Sequence, residues 1–244
     1  MNIRRSVLAC IALFPAAASA ALVTDDFNDG NANGWTTSNP IGTGSFSVVS
    51  GAYRIATAAT PNPAFGPGRA GSFRNDASET NFAVLVDLVD WDAAQVEMVA
   101  GLLARVSQIG AGTTDGYGLV VEPDEGLSLV RITNEASAGL GVGSAAPLTL
   151  TPGNDYRMAF TGSGTSLTGQ IFDLTNLAVP LATVTATDAT YASGVPGVFV
   201  FDSSAAPFPG TARADFDNFL SVPEPSVAAL GLAGLLLAVR RRRA

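Results

Sequence analysis

Between Leu22 and Ser221 the chain offers almost no helical periodicity, while short runs rich in β-branched and aromatic residues recur, cut by Gly, Pro, Asn, Asp and Ser. This pattern constrains the fold more than any other feature. A parallel sheet needs helices to cover its faces and carry its crossovers, and none is on offer here. "SFSVVSGAYRIAT" reads as a hairpin turning at Ser50-Gly51, and "NFAVLVDLV" and "EMVAGLLARV" are long and apolar enough for central strands. "DGYGLVV", "LSLVRI", "DYRMAFTGSGTSLTGQIFDL", "LATVTAT", "GVFVF" and "ARADFDNFL" bring the set to about a dozen. One stretch, "WDAAQVEMVAGLLARV", also tolerates a 3.6-residue period, and strand is the preferred reading there. The fold expected for residues 21–221 is all-β, an antiparallel sandwich of the jelly-roll type. Two Gly-rich stretches, "ASAGLGVGSAA" and "TPNPAFGPGRA", read as loops, the first lacking the lysine and following helix of a phosphate cradle.

Charge narrows the range of partners. Every one of the 13 basic residues is arginine, and histidine is absent. From Ala21 to Val222, 7 arginines stand against 20 acids, a net charge of −13. A body that acidic repels nucleic-acid phosphates and anionic headgroups, which excludes nucleic acid and polybasic membrane docking. It suits divalent cations or neutral polymers. Without histidine, and with the single cysteine at Cys10, Ser-His and Cys-His catalysis have no base or nucleophile in the body.

The two ends carry separate signals. "MNIRRSVLACIALFPAAASAA" has two arginines, an apolar run and the small residues Ala18-Ser19-Ala20, the layout of a signal peptide over 1–20 cut after Ala20. A retained N-terminal anchor is the alternative. Ser226 to Val239 are uncharged and, as a helix, reach only about 21 Å against a hydrocarbon core of roughly 30 Å. Pro223 and Pro225 precede this run and Arg240 to Arg243 close it. Snorkelling arginines let a short C-terminal transmembrane helix cross, with the arginines cytoplasmic and the acidic body outside.

Val-Pro-Glu-Pro, a short apolar helix and a terminal arginine cluster, over 222–244, resemble the PEP-CTERM sorting signal. The resemblance implies that Pro223, Glu224 and Pro225 are the recognition motif for an exosortase, a membrane-embedded processing enzyme. It further implies a chain held transiently in the inner membrane and then released to the cell surface or outside. A permanent C-terminal anchor is the alternative. In the body, "DDFNDGNANGW", "DYRMAFTGSGTSLTGQIFDL" and "GVPGVFVFDSSAAPFPGTARADFDNFLSV" resemble the concanavalin A-like lectin/glucanase (LamG-like) jelly rolls. That resemblance, over Asp25 to Leu220, implies an opening Asp-Phe-Asn-Asp-Gly strand beside a closing Phe-Asp-Asn strand.

Three chemistries are open to such a body. Asp29, Asn31 and Asn33 fit the first half of a calcium loop, with Asp215 and Asp217 as donors of further oxygens if the first and last strands pair. A structural calcium is thus the one cofactor the sequence offers, although Pro40 replaces the usual bidentate Glu and the segment also reads as a polar turn. Sugar binding needs exposed rings, for which Trp35 and Trp91, with Tyr53 and Tyr117, are candidates. Hydrolysis needs a carboxylate pair. The glucanases of this fold carry Glu-x-Asp-x-x-Glu on one strand, whereas "VEPDEG" has Pro123 inside it and Glu125 one position early, so Glu122, Asp124 and Glu125 read as a hairpin turn. The expected function is carbohydrate binding, of exopolysaccharide, by an exported non-enzyme. A structural matrix component and a carboxylate-dependent glycosidase are the alternatives.

Overall fold

The computed structural model describes residues 22–95 and 97–223. The signal-peptide residues Ala18 and Ala20, the motif residues Glu224 and Pro225, and the apolar tail helix lie outside the described residues.

Sixteen strands follow one another: β1 (Val23–Asp25), β2 (Trp35–Ser38), β3 (Gly44–Val49), β4 (Ala52–Thr57), β5 (Arg69–Arg74), β6 (Phe82–Trp91), β7 (Met98–Ser107) and β8 (Asp115–Glu122) in the first half. The second half adds β9 (Gly126–Thr133), β10 (Ala136–Gly139), β11 (Ala145–Pro147), β12 (Tyr156–Ser163), β13 (Ser166–Asp173), β14 (Ala182–Thr187), β15 (Val195–Asp202) and β16 (Ala212–Pro223). A single 3-10 turn, Pro63–Phe65, is the sole helical element among the described residues, and no helix there is long and apolar enough to cross a membrane.

All pairings are antiparallel and form two eight-stranded sheets. The first runs β14-β13-β12-β6-β16-β4-β3, with β1 also on β16; the second runs β10-β9-β8-β7-β15-β5-β2, with β11 on β9. The Ser50-Gly51 hairpin forms as expected, both residues at positive φ between β3 and β4. An opening strand does lie beside the closing one, Asp25 opposite Phe219, but it is Val23–Asp25; residues 26–30, expected as that strand, form the turn after it. The last strand continues through Val222 to Pro223, which pairs with Phe82. Five strands, β1, β2, β5, β10 and β11, lie outside the runs expected from local pattern; β10 and the start of β11 turn parts of "ASAGLGVGSAA", and β5 the end of "TPNPAFGPGRA", from loop into strand.

Period-2 alternation explains where the core sits. Phe82, Val84, Val86 and Leu88 of β6 meet Met98, Ala100, Leu102 and Ala104 of β7 between the sheets, and Phe82 and Phe160 pack edge to face. Every residue from Met98 to Val106 is buried. A strand covered on both faces reads as a continuous apolar run, which is why its sequence also tolerated a helical period.

Candidate functional site

The outward faces of the two sheets differ in kind. On the first sheet the outward face carries paired charges on β4, β16, β6 and β12, with uncharged rows such as Thr183, Gln170, Ala159 and Leu85 beside them. Arg54 grips Asp215 with two bonds of 2.8 and 2.6 Å, and Arg157 grips Asp87 with two of 2.6 and 2.7 Å. Arg213 reaches Asp90 at 2.8 Å. Bidentate guanidinium–carboxylate pairs of this kind fix the side chains on that face.

On the second sheet the outward positions are glycines and large apolar side chains. Register alignment sets Val130, Gly118, Leu103, Gly197 and Phe73 side by side across β9, β8, β7, β15 and β5. The next row is Ser128, Val120, Gly101, Phe199 and Gly71. Each bulky residue is thus flanked by glycine, and the glycines are a steric requirement. A Cβ on Gly101 would come within 2.5 Å of the Phe199 ring and 2.6 Å of the Leu119 carbonyl, and one on Gly197 within 2.5 Å of the Ser72 carbonyl. The result is a groove of about 530 Å³, whose walls include Phe65, Phe199, Phe201, Glu122, Arg69 and Glu135. That volume lies within the roughly 300–1,000 Å³ of small-ligand sites. The "TPNPAFGPGRA" loop supplies one rim, where Phe65 stands 56% exposed.

One ion pair spans this face. Arg69 on β5 donates to Glu135, in the β9–β10 turn, at 2.8 and 3.3 Å. Three strands, β15, β7 and β8, lie between β5 and β9, so in a flat sheet those two axes would be roughly 19 Å apart. The two long side chains reach toward each other over that gap, and the twist of the sheet brings its ends together on the groove side. Glu135 also accepts from Gly112 N at 2.7 Å, while Arg69 donates to the carbonyls of Phe65 and Pro67, so both ends of the bridge are anchored in loops. At the groove wall, burial lifts the Glu122 carboxyl to about 7; its hydrogen bond with Glu125 and the charges of Glu125 and Glu97 push the same way. Glu122 ends β8 and Gly126 begins β9, so "VEPDEG" is the expected hairpin turn.

The aromatic candidates prove to be framework. Trp91 is 4% exposed and packs on Tyr156 in the core, because Asp90 and Asp92 on either side of it point outward. Tyr53 and Tyr117 are buried as well, their hydroxyls donating to Ser72 and Asp188. Trp35 is half-buried, with its indole N–H on Asp25 Oδ2 at 2.8 Å, Phe219 edge-on at 4.8 Å and the Arg74 guanidinium over its ring. That ring fastens β1 and β2 to the body instead of facing solvent as a sugar platform.

The calcium set is likewise not assembled. Asp29 Oδ1 accepts from Asn31 N at 3.1 Å and Asn31 Oδ1 from Asn33 N at 2.9 Å, the hydrogen bonds of consecutive Asx turns. Asp215 is held by Arg54, and Asp217 accepts from the backbone and side chain of Asn218. Among the described residues, no group of three or more acids, these included, converges as a metal site. Sequence reasoning missed the groove, for which the only signal was the alternation of glycine with bulky residues in "MVAGLLA", "DGYGLVV", "RAGSFR" and "GVPGVFVF".

No protein-family model matches the chain, and no curated protein matches it either. Solved structures do. The carbohydrate-binding module CBM66 from Bacillus subtilis superposes with a TM-score of 0.57 at 18% identity, over 79% of this chain and 97% of that one. Lectin II from Ulex europaeus gives 0.57 at 13% identity, over 84% and 99%. A β-glucanase from Bacillus licheniformis gives 0.55 at 12% identity, over 84% and 98%. At such identities the likeness is one of fold alone, and the fold it establishes is the concanavalin A-like jelly roll of lectins and glucanases.

Proposed function

We propose that the chain is an exported surface or extracellular-matrix protein whose jelly-roll body binds an extracellular polysaccharide in the groove of the second sheet, without cleaving it. The observation that carries this reading is the groove: a concave, largely apolar face of about 530 Å³ on a molecule whose opposite face bears ion pairs. Exposed apolar concavities on a soluble domain mark binding surfaces. The half-buried rings of Phe199 and Phe201, with the exposed Phe65, offer the faces on which pyranose rings stack. Carbohydrate-binding and lectin relatives of the same fold support the assignment.

Delivery rests on the sequence signals at the two ends. In this reading the signal peptide directs export, the apolar tail holds the chain in the inner membrane, and an exosortase acts at the Pro223-Glu224-Pro225 motif. An intact mass of the native protein tests it, and a mature form still ending at Ala244 overturns it. The binding reading is tested by titrating the full chain with the producer's own extracellular polysaccharide. Saturable binding that Phe199→Ala weakens about tenfold or more, the cost of losing one stacked ring, is the expected result. Binding unchanged by a chelator is expected as well, because Asp29, Asp215 and Asp217 are engaged elsewhere. No saturation overturns the reading and leaves a structural matrix domain.

A second reading, carboxylate-dependent glycoside hydrolysis, draws on one observation. Glu122 lines the groove with its carboxyl raised to about 7, beside Glu125, and a protonated acid beside a second carboxylate is the equipment of a glycosidase. Release of reducing ends from the same polysaccharide, abolished by Glu122→Gln, would establish it; no release supports binding alone.

A further inference from the structure

Taking the groove as a carbohydrate site, on which this step rests, we propose that it selects neutral pyranoses bearing a methyl group, as a 6-deoxy carbon or an acetyl, over unsubstituted and acidic sugars. Two independent features of the lining lead there.

The first is the floor. Phe199, Phe201, Leu103, Val120 and Val130 present carbon only, and glycines fill the positions between them. The hydroxymethyl group of an ordinary hexose pressed against the Phe199–Leu103–Val120 part of this floor, away from Ser128 at the end of the row, would lose its water and find no partner, whereas a methyl group has nothing to lose. A buried methyl is worth about fourfold in affinity, and avoiding one unsatisfied hydroxyl about tenfold. Hydroxyls on the opposite edge of the ring have partners within the same lining, among them Ser38, Ser128, Asn134 and Ser137.

The second is charge. Among the described residues Arg69 is the only basic one in the lining, and its guanidinium is taken up by Glu135 and by two backbone carbonyls. The other ionisable lining residue is Glu122. A uronic acid would give up its water there with no unpaired cation among the described lining residues to receive it, and burying an uncompensated charge is strongly discriminating.

The test is a calorimetric panel on the full chain with four probes of equal length: oligosaccharides of rhamnose, of N-acetylglucosamine, of glucose, and of alternating glucose and glucuronate. At least one methyl-bearing probe is expected to bind about tenfold or more tighter than the glucose probe, and which one does so tells a deoxy carbon from an acetyl. The glucuronate probe is expected to bind weakest. Glu135→Gln, which leaves Arg69 uncompensated in the groove, is expected to raise affinity for the glucuronate probe about fivefold or more, with thermal unfolding confirming that the variant is folded. A glucose probe that matches both methyl-bearing ones overturns the selectivity while the producer's polysaccharide still binds, so the carbohydrate site survives. If neither that polysaccharide nor any probe binds, the carbohydrate reading falls with it. A Glu135→Gln variant that gains nothing for glucuronate overturns the charge argument.

Discussion

Glu79 is fully buried, receiving hydrogen bonds from Ser221 Oγ at 2.8 Å and from the Arg105 amide at 3.4 Å. Burial pushes its carboxyl from an ordinary 4.5 up to about 8, against the opposing pull of those bonds and of the Arg105 charge. Between these two values the folded chain holds a proton that the unfolded chain has released. The stability tied to Glu79 is therefore complete below about 4.5, declines as pH rises, and is gone above about 8. Thermal unfolding is expected to occur at a lower temperature at pH 8 than at pH 5, and Glu79→Gln should flatten that slope; an equally steep variant would place the dependence on another group. Arg105 nearby occupies a bulge with φ of 50° and sends its guanidinium to the carbonyls of Thr80, Tyr191 and Gly164 at 2.8, 3.1 and 2.8 Å. Arg105→Met keeps the bulk but strands those acceptors, and chemical denaturation is expected to register a loss of roughly 3 kcal/mol.

At the scale of strands, Gly101 is among the most constrained positions in the groove floor. Gly101→Ala would press on Phe199 and on the Leu119 carbonyl, costing about 1–3 kcal/mol and raising the floor where a ligand would lie. Polysaccharide affinity and the unfolding midpoint should fall together in this variant, whereas Phe199→Ala should lower affinity by more than its stability cost explains. The same residues show what the sequence could tell. Hairpins such as "SFSVVSGAYRIAT" and "DYRMAFTGSGTSLTGQIFDL" were legible because turn and strand signals are local. The pairing of β1 with β16 was legible only through a family likeness, since it joins residues almost two hundred positions apart. The groove was not legible, because Gly101, Gly118 and Gly197 become neighbours only when β8, β7 and β15 lie in register. Trp91 misled for the converse reason: its acidic neighbours suggested exposure, and alternation turned the ring inward.

For the whole molecule, the sandwich divides its chemistry between two faces. One carries the ion pairs Arg54–Asp215, Arg157–Asp87 and Arg213–Asp90; the other is left carbon-rich and concave. Arg69 on β5 and Glu135 in the β9–β10 turn join across that concave face, over the three strands between β5 and β9. Such a bridge dictates an order of events. If the groove takes polysaccharide as proposed and the pair crosses above it, a short oligosaccharide would pass beneath, while a long polymer would enter by a free end or when the pair parts. Stopped-flow measurements on Glu135→Gln should then show faster association with long chains and little change with short ones, so that the number of chain ends, more than the mass of polysaccharide, would set how quickly this protein is captured.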